Sequence, residues 1–133
     1  MAASKYDFPI EQGSSFKLSL VYKDSDDNVV DLTGWCSRLI WVTNTGATQV
    51  FTTENVDDTS YNFTIDGTNG KIILLIPANT TNLFNFFGAK YDLELQSPEE
   101  LYAGGGKYTI RLLYGDIEIV KRYTRSGTAL ECQ

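Results

Sequence analysis

Apolar and polar residues alternate along most of this chain with a period of two. In Ser15-Phe16-Lys17-Leu18-Ser19-Leu20-Val21-Tyr22 the apolar positions are 16, 18, 20 and 22, and positions 15, 17 and 19 are polar. Successive strand side chains point to opposite faces, so the segment predicts a strand with one buried and one wet face. Residues 35–43 repeat the pattern. Trp35, Ser37, Leu39 and Trp41 share one face, and Cys36, Arg38, Ile40 and Val42 share the other. Tyr61-Asn62-Phe63-Thr64-Ile65 alternates again. Ala89-Lys90-Tyr91-Asp92-Leu93-Glu94-Leu95-Gln96 puts Tyr91, Leu93 and Leu95 inside and Asp92 and Glu94 outside. Lys71-Ile72-Ile73-Leu74-Leu75-Ile76 is apolar on both faces and predicts a central strand covered on two sides.

Turn chemistry punctuates these strands. Asp24-Ser25-Asp26-Asp27-Asn28, Asp31-Leu32-Thr33-Gly34, Asn44-Thr45-Gly46-Ala47 and Asp66-Gly67-Thr68-Asn69-Gly70 are rich in residues that tolerate turn dihedrals. The Thr-rich residues 48–53 predict an edge strand. Residues 77–88 hold the one helical turn. Residues 97–106, with Gly104-Gly105-Gly106, read as a loop. Gly115-Asp116 lies between the alternating residues 108–114 and 117–120, which predicts a tight hairpin. The sum is about eight short strands and one short helical turn, the pattern of an all-β sandwich. The predicted domain spans residues 1–122. Residues 123–133 lose the alternation and read as a C-terminal tail.

Composition narrows the chemistry. The 133 residues suit one domain, and 42% hydrophobic content with 13% aromatics supports a real core. The net charge of −6 disfavours a phosphate backbone as partner, so no nucleic acid is expected. With no histidine, Ser-His-Asp catalysis, Cys-His catalysis and histidine metal sites are excluded in cis. Cys36 and Cys132 form no CxxC, and no apolar run nears the ~18 residues a membrane helix needs. Residues 1–7 lack the apolar stretch of a signal peptide, which predicts a cytosolic product or part of an assembly.

Each candidate site has a plainer reading. Asp24, Asp26 and Asn28 stand at calcium-loop spacing, but Val29 and Trp35 occupy the glycine and glutamate positions such a loop needs. A solvated turn is expected there. Asp57-Asp58 and Glu99-Glu100 are adjacent acids in polar segments. A glycosidase pair must instead face across a cleft. Trp35 and Trp41 would form a sugar-stacking platform if exposed, whereas the alternation assigns them to the core. Among Tyr102, Tyr108, Tyr114, Phe84, Phe86 and Phe87, some are expected to meet a partner, because 17 aromatics exceed what so small a core covers. No catalytic residue, metal ligand or cofactor is assigned. Lys121, Arg122, Tyr123, Arg125 and Leu130 are the expected partner contacts, since they put positive charge and apolar anchors at the end of an acidic chain.

The order of motifs carries a resemblance. Gln12-Gly13 leads into Phe16, followed by Asp31-Leu32-Thr33-Gly34-Trp35, Gly70-Lys71-Ile72, Tyr91-Asp92-Leu93-Glu94 and Gly115-Asp116-Ile117. Over residues 6–121 this resembles the small β-sandwich virion proteins of tailed bacteriophages. It is closest to those of contractile-tailed phages of cyanobacteria and similar to the N-terminal domains of baseplate upper proteins. Trp35 stands where the family commonly has Tyr. The resemblance implies an immunoglobulin-like antiparallel sandwich, made in the host cytoplasm and carried in the virion. It implies a noncatalytic structural role in the tail, baseplate or fibre attachment. The implied partners are other virion proteins, with a homo-oligomer within the particle as a further arrangement, and neither nucleic acid nor membrane. The alternative is a carbohydrate- or receptor-binding module on the particle surface.

Overall fold

The structure is a computed structural model that describes residues 3–54, 58–98 and 106–122, together with the backbone of 99 and 100. Its strands are β1 (Ser4–Lys5), β2 (Phe8–Glu11), β3 (Phe16–Val21), β4 (Cys36–Thr43), β5 (Thr48–Thr52), β6 (Asn62–Asp66), β7 (Lys71–Ile76), β8 (Gly88–Glu100) and β9 (Lys107–Val120). One helical turn, α1 (Ala78–Thr81), joins β7 to β8.

The strands form two sheets. One runs β1-β9-β8-β4-β5, with β2 also on β9, and the other runs β3-β7-β6. The pairs β4–β5, β4–β8, β8–β9, β3–β7 and β6–β7 are antiparallel, whereas β1 and β2 lie parallel to β9. Taking β3 to β9 as strands B, C, C′, D, E, F and G gives a BED sheet against a GFCC′ sheet. That is the immunoglobulin-like sandwich.

The alternating residues fill the space between the sheets. Leu39 and Trp41 of β4, Leu74 and Ile76 of β7, and Leu93 and Leu95 of β8 are buried. Trp41 meets the rings of Phe51, Phe84 and Phe86 at centroid distances of 4.8, 5.5 and 5.7 Å. Offset or edge contacts of this kind add to area burial. Trp35 packs half-buried against the same core. Both tryptophans therefore serve packing, as the alternation predicts.

Several turns act as expected. Asp24 Oδ1 accepts the backbone N–H groups of Asp26 and Asn28, at 2.9 and 3.0 Å. Asp27 takes the left-handed conformation at φ 64°. The carboxylate at the head of the calcium-like spacing is thus committed to a hairpin turn. Asp31 accepts from both Thr33 N–H and Thr33 Oγ1, which holds its carboxyl below the usual range. That turn seats Leu32, which is fully buried.

The structure departs from the sequence reading at four places. No hairpin forms at Gly115-Asp116, because β9 runs unbroken from Lys107 to Val120. The reason is a crossing chain. Tyr6 and Asp7, between β1 and β2, pass against Gly115, where a Cβ would meet the Tyr6 carbonyl oxygen and lie 2.6 Å from Asp7 Oδ1. A strand glycine here marks a close backbone approach. Second, β8 extends through residues 97–100, and Glu100 pairs with Lys107, so the loop is shorter than expected. Glu99 and Glu100 are strand residues. Third, β7 is central but covered on one face only, with Leu75 40% exposed. Fourth, Leu20 and Ile110, which the alternation of residues 15–22 and 108–114 assigns to the core, are only partly buried.

Candidate protein-contact surface

The outer face of the six-stranded sheet gathers the polar halves of the alternating strands. Register sets them in cross-strand rows. Arg111, Glu94, Arg38 and Thr52 form one row, and Tyr114, Asp92, Ile40 and Val50 form the next. A third holds Asp116, Lys90, Val42 and Thr48. The charges pair within this face. Arg38 Nη2 lies 3.0 Å from Glu94 Oε2, Arg111 Nη1 3.1 Å from Asp92 Oδ1, and Lys90 Nζ 3.2 Å from Asp116 Oδ1. The Arg111 guanidinium also stands 5.0 Å from the Tyr114 ring centre. Such exposed pairs contribute only about 0–1 kcal/mol each, so their main effect is to fix side-chain positions. Between them Val42, Val50 and Tyr114 remain exposed. Asp92 and Glu94 do point outward together, as their spacing predicts, and each has an arginine partner.

At one end of this face a recess of about 120 Å³ is lined by Cys36, Arg38, Thr52, Glu54, Glu94 and Gln96, among others. Small-molecule sites usually occupy ~300–1,000 Å³. The Cys36 thiol is 3.8 Å from Gln96 Oε1. Burial, then the Glu54 charge, pushes it above its ordinary pKa and away from the reactive thiolate. Among the described residues no three Cys, Asp or Glu side chains group as metal ligands, and no helix is long and apolar enough to cross a membrane.

The end of β9 forms a second corner. Lys121 Nζ donates to the Phe84 carbonyl at 3.3 Å and stands 5.1 Å from the Phe87 ring centre. Arg122 N–H donates to Gln12 Oε1 at 3.1 Å, and its Nη1 donates to Asn82 Oδ1 at 2.9 Å. Gln12 Nε2 in turn donates to the Phe84 carbonyl at 2.8 Å. Two of the expected partner contacts, Lys121 and Arg122, are therefore tied to the Gln12-Gly13 turn and to the segment after α1. Beside them Leu83 and Phe87 are 76% and 69% exposed. Tyr123, Arg125 and Leu130 lie outside the described residues.

Of the aromatics expected at a partner surface, Phe86 is buried and Phe84 packs on Trp41, while Phe87, Tyr108 and Tyr114 are exposed. Tyr102 lies outside the described residues, as does Asp57. Asp58 accepts from the backbone N–H and the hydroxyl of Ser60, which keeps its carboxyl low. Sequence reasoning missed the corner around Gln12 because its contacts join residues 37 to 110 positions apart. It also missed the ion-pair rows, whose partners only register brings together. The sequence matches no known protein-family model and no curated relative.

Proposed function

We propose that the chain is a noncatalytic structural protein of a phage virion, placed in the tail, baseplate or fibre-attachment region and acting through protein contacts. The observation that supports this reading most is the outer face of the six-stranded sheet. It is a broad sheet surface on which Arg38, Glu94, Arg111, Asp92, Lys90 and Asp116 are paired and whose exposed Val42, Val50 and Tyr114 offer apolar area. Protein interfaces combine such apolar area with fixed polar groups. The motif order from Gln12-Gly13 to Gly115-Asp116-Ile117 supports the choice of particle. The proposed contact set includes Lys121 and Arg122 at the corner, with Tyr123, Arg125 and Leu130 following them in sequence.

The test uses particles from the phage that encodes the chain. An antibody raised against the protein is expected to label tails or their distal ends by immunogold microscopy. The variant with Arg38→Glu and Arg111→Glu is expected to fold, with an unchanged circular dichroism spectrum, and to enter particles poorly. Purified particles that lack the chain by mass spectrometry would overturn the reading.

A further inference from the structure

Strand β5 ends the six-stranded sheet, and its backbone groups divide by direction. Thr43 N–H donates to Ala47 O at 2.8 Å and Thr53 N–H to Ser37 O at 3.1 Å. With Leu39 opposite Phe51 and Trp41 opposite Gln49, the antiparallel alternation turns the backbone groups of Gln49 and Phe51 toward β4. Those of Thr48, Val50 and Thr52 point away from it. The Tyr61 hydroxyl occupies Thr52, taking its N–H at 3.1 Å and reaching its carbonyl at 3.4 Å. Thr48 and Val50 keep their N–H and C=O groups directed off the sheet.

The remaining sheet edges are blunted. Strand β1 carries Lys5, β2 carries Pro9 and Glu11, β3 carries Lys17 and β6 carries Asp66. Charges and proline are the devices that stop edges from pairing. Thr48-Gln49-Val50-Phe51-Thr52 has neither, although the chain carries a net charge of −6.

We propose that β5 pairs with the β5 of a second copy, antiparallel, about a two-fold axis through Gln49. Thr48 of each copy then faces Val50 of the other. Each such pair exchanges two N–H···O bonds, so the four outward groups of each strand are all used. An axis at Val50 would instead set Thr48 against Thr52, whose groups Tyr61 already holds. The strand that pairs, Thr48–Thr52 of each copy, carries no charge, so no like charges meet along it. The two exposed Gln49 amides sit opposite each other and can each donate and accept across the axis. Val50 and Val42, 42% and 47% exposed, join their counterparts in one apolar strip. The inference rests on this edge and is independent of the particle assignment.

Sedimentation equilibrium of the full chain, up to about 0.5 mM, is expected to show a monomer–dimer equilibrium. Val50→Arg adds an edge charge without touching the β4 ladder and is expected to weaken the dimer by about tenfold or more. Thr64→Arg, on the β6 edge, is expected to leave it unchanged. A second readout fixes the register: with Cys36 and Cys132 replaced by serine, Gln49→Cys is expected to give a disulfide-linked dimer on mild oxidation, whereas Thr48→Cys is not. Closely opposed, non-hydrogen-bonded pairs have the short Cα separation that a disulfide requires. A chain that stays monomeric throughout this range would overturn the proposal. So would a dimer that is insensitive to Val50→Arg, or one that cross-links through Thr48→Cys and not through Gln49→Cys.

Discussion

Gly115 carries the attachment of the segment between β1 and β2 to strand β9. Tyr6 N–H donates to Tyr114 O at 2.8 Å, Asp116 N–H donates to Asp7 Oδ1 at 2.8 Å, and the buried Tyr91 hydroxyl donates to Tyr6 O. That burial raises the Tyr91 pKa and keeps the hydroxyl a donor. All three bonds converge where Gly115 lacks a side chain. Gly115→Ala forces a methyl group against the Tyr6 carbonyl and is expected to cost about 1–3 kcal/mol, as overpacking does. Thermal melting measures the loss. Hydrogen exchange should place it in residues 4–11, and unchanged protection there would refute the assignment. The glycine was visible in the sequence, yet it sat between two alternating runs and so imitated a hairpin signal. What separates the two readings is the chain that passes over it, about 109 residues away in sequence, and no local pattern encodes that passage.

At the scale of elements, alternation was the reliable signal. It located β3, β4, β6 and β8 and put the correct face of each inward, because a one-residue slip would exchange buried for wet side chains; β7, apolar on both faces, was located without its inward face. It was weak on strand length. Strand β8 continues through residues 97–100 although Ser97 and Pro98 break the pattern, since β9 holds it through a register shift after Gln96. The helical turn α1 was legible in position and not in purpose. Its Thr81 is fully buried; Oγ1 accepts from Gly13 N–H at 3.1 Å and donates to Ser14 O at 2.8 Å. One hydroxyl thus fastens the β2–β3 turn to the β7–β8 connection. Thr81→Val keeps the shape and removes the hydrogen bonds to the half-buried Gly13 N–H and to the Ser14 carbonyl, so a loss of about 1–3 kcal/mol for the two is expected in urea unfolding. A loss under half of that range's lower bound would show that the two segments hold without the hydroxyl. The candidate surface was half legible. Asp92, Glu94 and Arg38 were placed on outward positions by period alone, whereas their pairing depends on the β4–β8–β9 register.

For the whole molecule, the arrangement of the first and last strands decides how it bears load. Strands β1 and β2 run parallel to β9, in register from Ser4 opposite Leu113 to Glu11 opposite Val120. A pull on the two ends of the domain therefore draws Ser4 and Val120 apart along the strand direction. The β2–β9 bonds then resist together in shear. An antiparallel hairpin pulled at its open end would instead open one bond at a time. Forced rupture is governed by the unfolding barrier and not by equilibrium stability, so this seam sets the mechanical limit even where the core is stronger. In single-molecule stretching through the termini the domain is expected to fail in one high-force step, at a force that Gly115→Ala lowers. The same seam makes a tensile link of the domain: what is joined to its two ends is coupled chiefly through β1, β2 and β9, and most of the sandwich is spared the strain.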